Sequence, residues 1–161
     1  MLNRTKRLLF LSLNKKSSFT LIELLIVIAI LSLLAVGGIG QYYNSLKSGR
    51  DVRRKSDLQS IQKALETYYQ DMGSYPAGTI PDPFCHPSGC ATAQYMQKLP
   101  TDPGGDAYVY DSDGTYYKLY ACIENPNDGG PGVNQDGYGQ ICGVGRCSQC
   151  RYGVSSTNTL P

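Results

Sequence analysis

Phe19-Thr20-Leu21-Ile22-Glu23-Leu24-Leu25-Ile26-Val27-Ile28-Ala29-Ile30-Leu31 opens an apolar run in which Glu23 is the one charge before Lys47. Residues 24–40 read LLIVIAILSLLAVGGIG, with Ser32 the single hydroxyl. A helix of that length suits a hydrocarbon core of about 30 Å, which takes about 20 apolar residues. An ionised side chain at such a run is expensive, so Glu23 reads as a functional residue that needs a partner. The nearest unattached positive charge would be an α-amino group created by cutting before Phe19. A secretory signal has a shorter apolar stretch followed by an A-x-A-like cleavage site, and no such site follows this run. A plain single-span anchor explains the length but not Glu23.

Ahead of the run Arg4, Lys6, Arg7, Lys15 and Lys16 stand without an acid, and losing residues 1–18 would take the formal charge from +2 to −3. The stretch Ser17-Ser18-Phe19-Thr20-Leu21-Ile22-Glu23, with the apolar residues after it, resembles the N-terminal signature of type IV pilins and type II secretion pseudopilins. The resemblance implies a membrane prepilin peptidase that cuts between Ser18 and Phe19 and methylates the new terminus at Phe19. It also implies that Glu23 serves assembly with other pilin subunits. Glycine normally precedes the cut in that family; Ser18 stands there here, which predicts slower processing or a peptidase that tolerates serine.

The mature part is mildly acidic and carries no footprint for nucleic-acid binding. Flanking charge does not orient the span, because Lys47, Arg50, Arg53, Arg54 and Lys55 balance the leader's five bases. Six cysteines in the C-terminal half fit an oxidising compartment, which places the leader in the cytoplasm and everything after Gln41 outside.

Val52, Leu58, Ile61, Leu65, Tyr68, Tyr69 and Met72 recur at three- and four-residue spacings, which predicts that the helix continues as an amphipathic one. A continuous helix over 19–72 would run about 80 Å. Gly37, Gly38 and Gly40 are its weak point, since an interior glycine costs ~1 kcal/mol relative to alanine. Gly73-Ser74-Tyr75-Pro76 ends it. Beyond, turn residues dominate, and strands over 107–110 and 115–122 are expected to pair through a turn at Asp111-Ser112-Asp113-Gly114. Tyr117, Leu119 and Ala121 would then share the face covering the helix. Leu99-Pro100-Thr101-Asp102-Pro103 resembles the segment that leads into the sheet of pseudopilins, with Gly104 at their aromatic position.

Cys85, Cys90, Cys122, Cys142, Cys147 and Cys150 allow 15 disulfide connectivities. Cys85–Cys90 is a plausible local staple, the other four tying the tail to Cys122. Zinc on Cys142, Cys147, Cys150 and His86 is the sharper alternative; an oxidising compartment argues for disulfides. Asp111, Asp113 and the 125–136 loop are rich in calcium-type oxygens, without EF-hand spacing. The resemblance implies a calcium loop after the hairpin, which makes Asn127, Asp128, Asn134 and Asp136 candidate ligands; solvated turn residues are the alternative. His86 is the single histidine, and no nucleophile-base pair accompanies it.

The expectation is an α+β, pilin-like chain: a leader (1–18), a transmembrane and assembly helix (19–40), its amphipathic continuation (41–72) and an extracytoplasmic head (73–161). It carries a small antiparallel sheet and a cysteine-rich C-terminal loop region. It is read as a non-enzymatic structural subunit of a pilus or secretion pseudopilus, without cofactor unless calcium binds. Expected partners are prepilin peptidase, other subunits, inner-membrane assembly machinery and membrane lipid. A monomeric, membrane-anchored, disulfide-stapled binding module is the competing reading.

Overall fold

A computed structural model describes residues 18–143 and 147–161, with residues 37–39 described by their backbone alone. The leader bases and Ser17 lie outside the described residues. The chain forms two compact units, Met1–Ile39 and Gly40–Pro161.

Helix α1 is assigned over Leu21–Met72. In the first unit every described side chain up to Val36 is exposed, so this apolar surface finds no cover within its own chain. No single helix among the described residues is long and apolar enough to cross a membrane; Leu21–Val36 and Gly40–Met72 pass only when taken together.

In the second unit α1 buries Leu58, Ile61, Ala64 and Leu65, with Tyr68 packed against them. The stripe differs from the expected one at both ends. Val52 is 65% exposed, and Tyr69 and Met72 are also exposed. The buried register continues N-terminally through Arg54 and Asp51 instead. Gly73 closes the helix in the left-handed region at φ 69°, its N–H donating to Tyr69 O at 2.7 Å.

Five strands follow. β1 (Phe84–Cys85) and β2 (Gln94–Met96) pair antiparallel; β3 (Val109–Ser112), β4 (Tyr117–Ala121) and β5 (Tyr152–Ser155) form an antiparallel sheet in that order. The expected hairpin is β3–β4, but its turn lies two residues later. Asp111 and Ser112 pair with Lys118 and Tyr117, and Asp113 Oδ1 caps the turn by accepting from the N–H groups of Thr115 and Tyr116. β4 is central because both faces are apolar. Tyr117, Leu119 and Ala121 join the helix core, whereas Tyr120 packs with Cys122, Cys142, Cys150 and Tyr138 on the other face. β5 was not expected: the tail is not all loop, since Tyr152–Ser155 pairs with β4 from Ala121 to Lys118.

The chain has 13 tyrosines and no tryptophan, and the fold uses both ends of the phenol ring. Tyr117 and Tyr75 pack in the core and donate to Glu66 (2.8 and 3.2 Å), Tyr108 donates to Asp57 (2.7 Å) and Tyr95 to Asp71 (3.0 Å). The acids of α1 thus accept from the aromatic layer that covers the apolar stripe. Burial foremost, with the hydrogen bond to Asp57 or Glu66, pushes the Tyr108 and Tyr117 phenols up.

All six cysteines pair: Cys85–Cys90, Cys122–Cys147 and Cys142–Cys150. The first closes the β1–β2 connection; the second ties the end of β4 to the tail, as expected. The zinc alternative fails, because its three thiols are consumed in disulfides. Denatured, unreduced protein should show no thiol reactivity. Replacing Cys122 and Cys147 together by serine should lose the most stability, about 3 kcal/mol, and the Cys85/Cys90 pair the least, because the closed loops span 25 and 5 residues. Urea unfolding of the paired variants checks the order.

Candidate functional site

The start of α1 explains Glu23 locally. Thr20 precedes the first helical residue, and Glu23 lies three residues on, the spacing of a capping box. Thr20 N and Thr20 Oγ1 donate to Glu23 Oε2 (3.0 and 2.7 Å), while Glu23 N donates back to Thr20 Oγ1 (3.3 Å). Leu24 N continues the ladder to Thr20 O at 3.3 Å. Two amide groups otherwise orphaned at the helix start are satisfied. Among the described residues only Oε2 of the carboxylate is engaged, and the group is exposed. The pattern Thr20-x-x-Glu23 before an apolar run was legible as a cap; the sequence reading gave Glu23 an assembly role alone. Phe19 and Ser18 flank it, both exposed.

A second charged site, missed by the sequence reading, sits deep in the head. Arg54 is almost fully buried and donates to Asp51 Oδ1 (2.7 Å), to Glu124 Oε1 (2.9 Å) and through Nε and Nη2 to both oxygens of Asp102. Arg50 grips Glu124 with Nε and Nη2. Asp51 in turn accepts from Glu124 N (3.0 Å) and Asn125 N (2.9 Å), and Asp102 Oδ1 from Gly104 N (2.6 Å). One turn of α1 therefore fixes the Leu99-Pro100-Thr101-Asp102-Pro103 segment and the chain leaving β4. Gly104 is tight there: a Cβ would meet Asp102 Oδ1 at 2.9 Å. Burial works against the Arg54 charge, but hydrogen bonds with Asp102 and Glu124 outweigh it and raise its pKa above the ordinary arginine value. The guanidinium of Arg50, aided by Arg54, holds Glu124 down at about 2 despite desolvation. The signal was present: Asp51 and Arg54 continue the 58, 61, 65 register backwards by threes and fours.

Asn127, Asp128, Asn134 and Asp136 all lie in the connection between β4 and β5. Asp128 faces Lys55 on α1, while Asn134 Oδ1 accepts from Asp136 N at 3.0 Å in a local turn. Among the described residues no group of three or more His, Cys, Asp or Glu is arranged to hold a metal ion. His86 Nδ1 accepts from Ser88 N at 3.0 Å, a turn contact within the Cys85–Cys90 loop.

Replacing Arg54 by leucine should destabilise the head by about 3–5 kcal/mol, because Asp51 and Asp102 are left buried without their cation. The pH dependence follows from Glu124. Its folded pKa, about 2, lies below its ordinary 4.5. The stability it contributes is full above that ordinary value and lost as pH falls towards about 2. Glu124→Gln should flatten this part of an acid-unfolding curve followed by circular dichroism.

The comparisons with known proteins divide the chain where the two units meet. Residues 13–39 match the prokaryotic N-terminal methylation motif, and residues 41–138 match the family described as type II secretion system (T2SS), protein G. The type II secretion system core protein G of Pseudomonas aeruginosa is 30% identical over 133 residues, covering 76% of this chain and 94% of that protein. The Vibrio cholerae protein of the same description is 26% identical, covering 77% and 91%, and the Escherichia coli K12 one 26%, covering 76% and 90%. No solved structure gives a significant match. Between the pilin and pseudopilin readings left open by the sequence, the chain belongs to the type II secretion protein G family, the pseudopilins.

Proposed function

We propose that the chain is a structural, non-enzymatic subunit of a secretion pseudopilus, cut by prepilin peptidase between Ser18 and Phe19, methylated at Phe19 and polymerised through its N-terminal helix. The observation that carries this reading is the uniformly exposed apolar segment up to Val36, attached to a head that has its own core. Such a surface needs a second solvent. The inner membrane supplies one before assembly, as a single pass with the head outside the cytoplasm, and the helices of other subunits supply one inside the fibre. The match to the methylation motif over residues 13–39 supports processing at the same place.

Glu23 has two tasks under this reading. In the free subunit its carboxylate caps α1 through Thr20; in the fibre it meets the cationic amino group of a Phe19. A lone carboxylate in an apolar core is strongly disfavoured, so the partner is required there. Glutamine at this position keeps the capping geometry without the charge, which separates the two tasks.

Mass spectrometry of assembled protein should find N-methylated Phe19 at the terminus. Met1 retained in filaments would overturn the processing step, and Ser18→Gly should speed it. Glu23→Ala and Glu23→Gln should both insert in the membrane with folded heads yet fail to enter filaments, with Glu23→Asp partly tolerated. Filament yield in sheared fractions, at equal protein levels, is the readout. Normal yield from Glu23→Ala would favour a monomeric anchored module, and normal yield from Glu23→Gln alone would show that the cap, not the charge, is what assembly needs.

A further inference from the structure

Lys55 leaves α1 directly after Arg54 and carries its ammonium into the 125–136 loop, among the oxygens expected as calcium ligands. Nζ donates to both carboxylate oxygens of Asp128, at 2.9 and 2.7 Å, and lies 5.6 Å from the centre of the Tyr152 ring. The pair is largely enclosed, with 23% and 17% of the two side chains exposed. Asp128 Oδ1 also accepts from Gly130 N at 3.1 Å. Gly130 leaves the space: a Cβ there would stand 3.2 Å from Nζ. Across the loop Gln135 Nε2 donates to Asp128 O (2.7 Å) and Asn125 O (3.3 Å).

Calcium takes six to eight oxygens, from carboxylates, carbonyls and water, at about 2.3–2.6 Å. Here the loop carboxylate points at an ammonium and two loop carbonyls point at an amide. Asn134 is spent on its own turn, donating to Gly137 O at 3.0 Å and accepting from Asp136 N. The side-chain oxygen of Asn125 is taken as well, accepting from Asn127 N at 3.1 Å. A divalent ion brought to Asp128 would also stand against the Lys55 charge. The donor set does not fit the metal.

We infer that Lys55 and Gln135 do within the chain what a bound cation would do from outside: they gather the carboxylate and carbonyl oxygens of the 125–136 loop, so that the head folds without calcium. The ammonium neutralises Asp128, which it holds below the usual carboxylate range, and the amide ties the two ends of the turn. Because Lys55 belongs to α1, the loop is fastened to the helix directly.

The test is thermal unfolding of the full-length protein in detergent micelles, followed by the tyrosine near-ultraviolet signal, in excess chelator and in excess calcium. The melting temperature should be the same in both. Lys55→Met should lower it by roughly 5 °C in chelator, and Gln135→Leu by less. Calorimetric titration of the unaltered protein with calcium, which needs no variant to fold, should show no saturable binding. A saturable rise in melting temperature with calcium, a bound equivalent lost in Asp128→Asn, or a Lys55→Met protein as stable as the parent in chelator would overturn the inference. Recovery of Lys55→Met by calcium would support it, by showing the ion and the ammonium to be interchangeable.

Discussion

Arg54 is the one buried cation among the described residues, and the arrangement of the head depends on it. A buried guanidinium is tolerable only if nearly all its donors are used, and here it reaches Asp51, Asp102 and Glu124 at once. Such a network need not stabilise the fold more than apolar packing of the same volume would. Its physical effect is positional. An apolar stripe tolerates sliding along a helix, whereas a fork of fixed donors admits one placement of each carboxylate. Asp102 and Glu124 stand on chain segments with little regular structure of their own, so the fork supplies the register that backbone ladders do not.

What the sequence revealed and what it hid divide along the same physical line. Periodic apolar residues are legible, which is why Leu58, Ile61 and Leu65, the β3–β4 hairpin and the inward face of Tyr117, Leu119 and Ala121 were expected. Charged residues at the same spacing read as solvent-facing by default, so an apolar pattern includes Val52, which is exposed, and leaves out Asp51 and Arg54, which are buried. β5 was hidden for another reason. Tyr152-Gly153-Val154-Ser155 is short and glycine-containing, and it becomes a strand only because β4 offers a free edge and the disulfides bring the tail to it. The local pair Cys85–Cys90 followed from proximity; the other two pairings depend on the tertiary path, which spacing does not encode.

Glu23 shows a different limit. Its cost in an apolar run was apparent, and so was the inference that it must be compensated. The sequence reading sought the compensation outside the helix, whereas the subunit supplies part of it within four residues through Thr20. The cap engages one carboxylate oxygen among the described residues, leaving the residue compatible with a further cation. A carboxylate already held in one direction by hydrogen bonds would lose less side-chain freedom on meeting such a cation.

The polar anchors of the head lie close together on α1. Arg50, Asp51, Arg54 and Lys55 fall within about one and a half helical turns and between them hold Asp102, Glu124, Asn125 and Asp128. C-terminal to that point the helix is covered by apolar packing and tyrosine hydroxyls, which permit small adjustments. The stiffest connection between helix and loops is thus at the N-terminal end of the head core. A chain built in this way can have the apolar surface of its first unit satisfied by different surroundings while the loops of the head keep one arrangement. That separation is what a protein must have if its helix is to change solvent while its head stays folded.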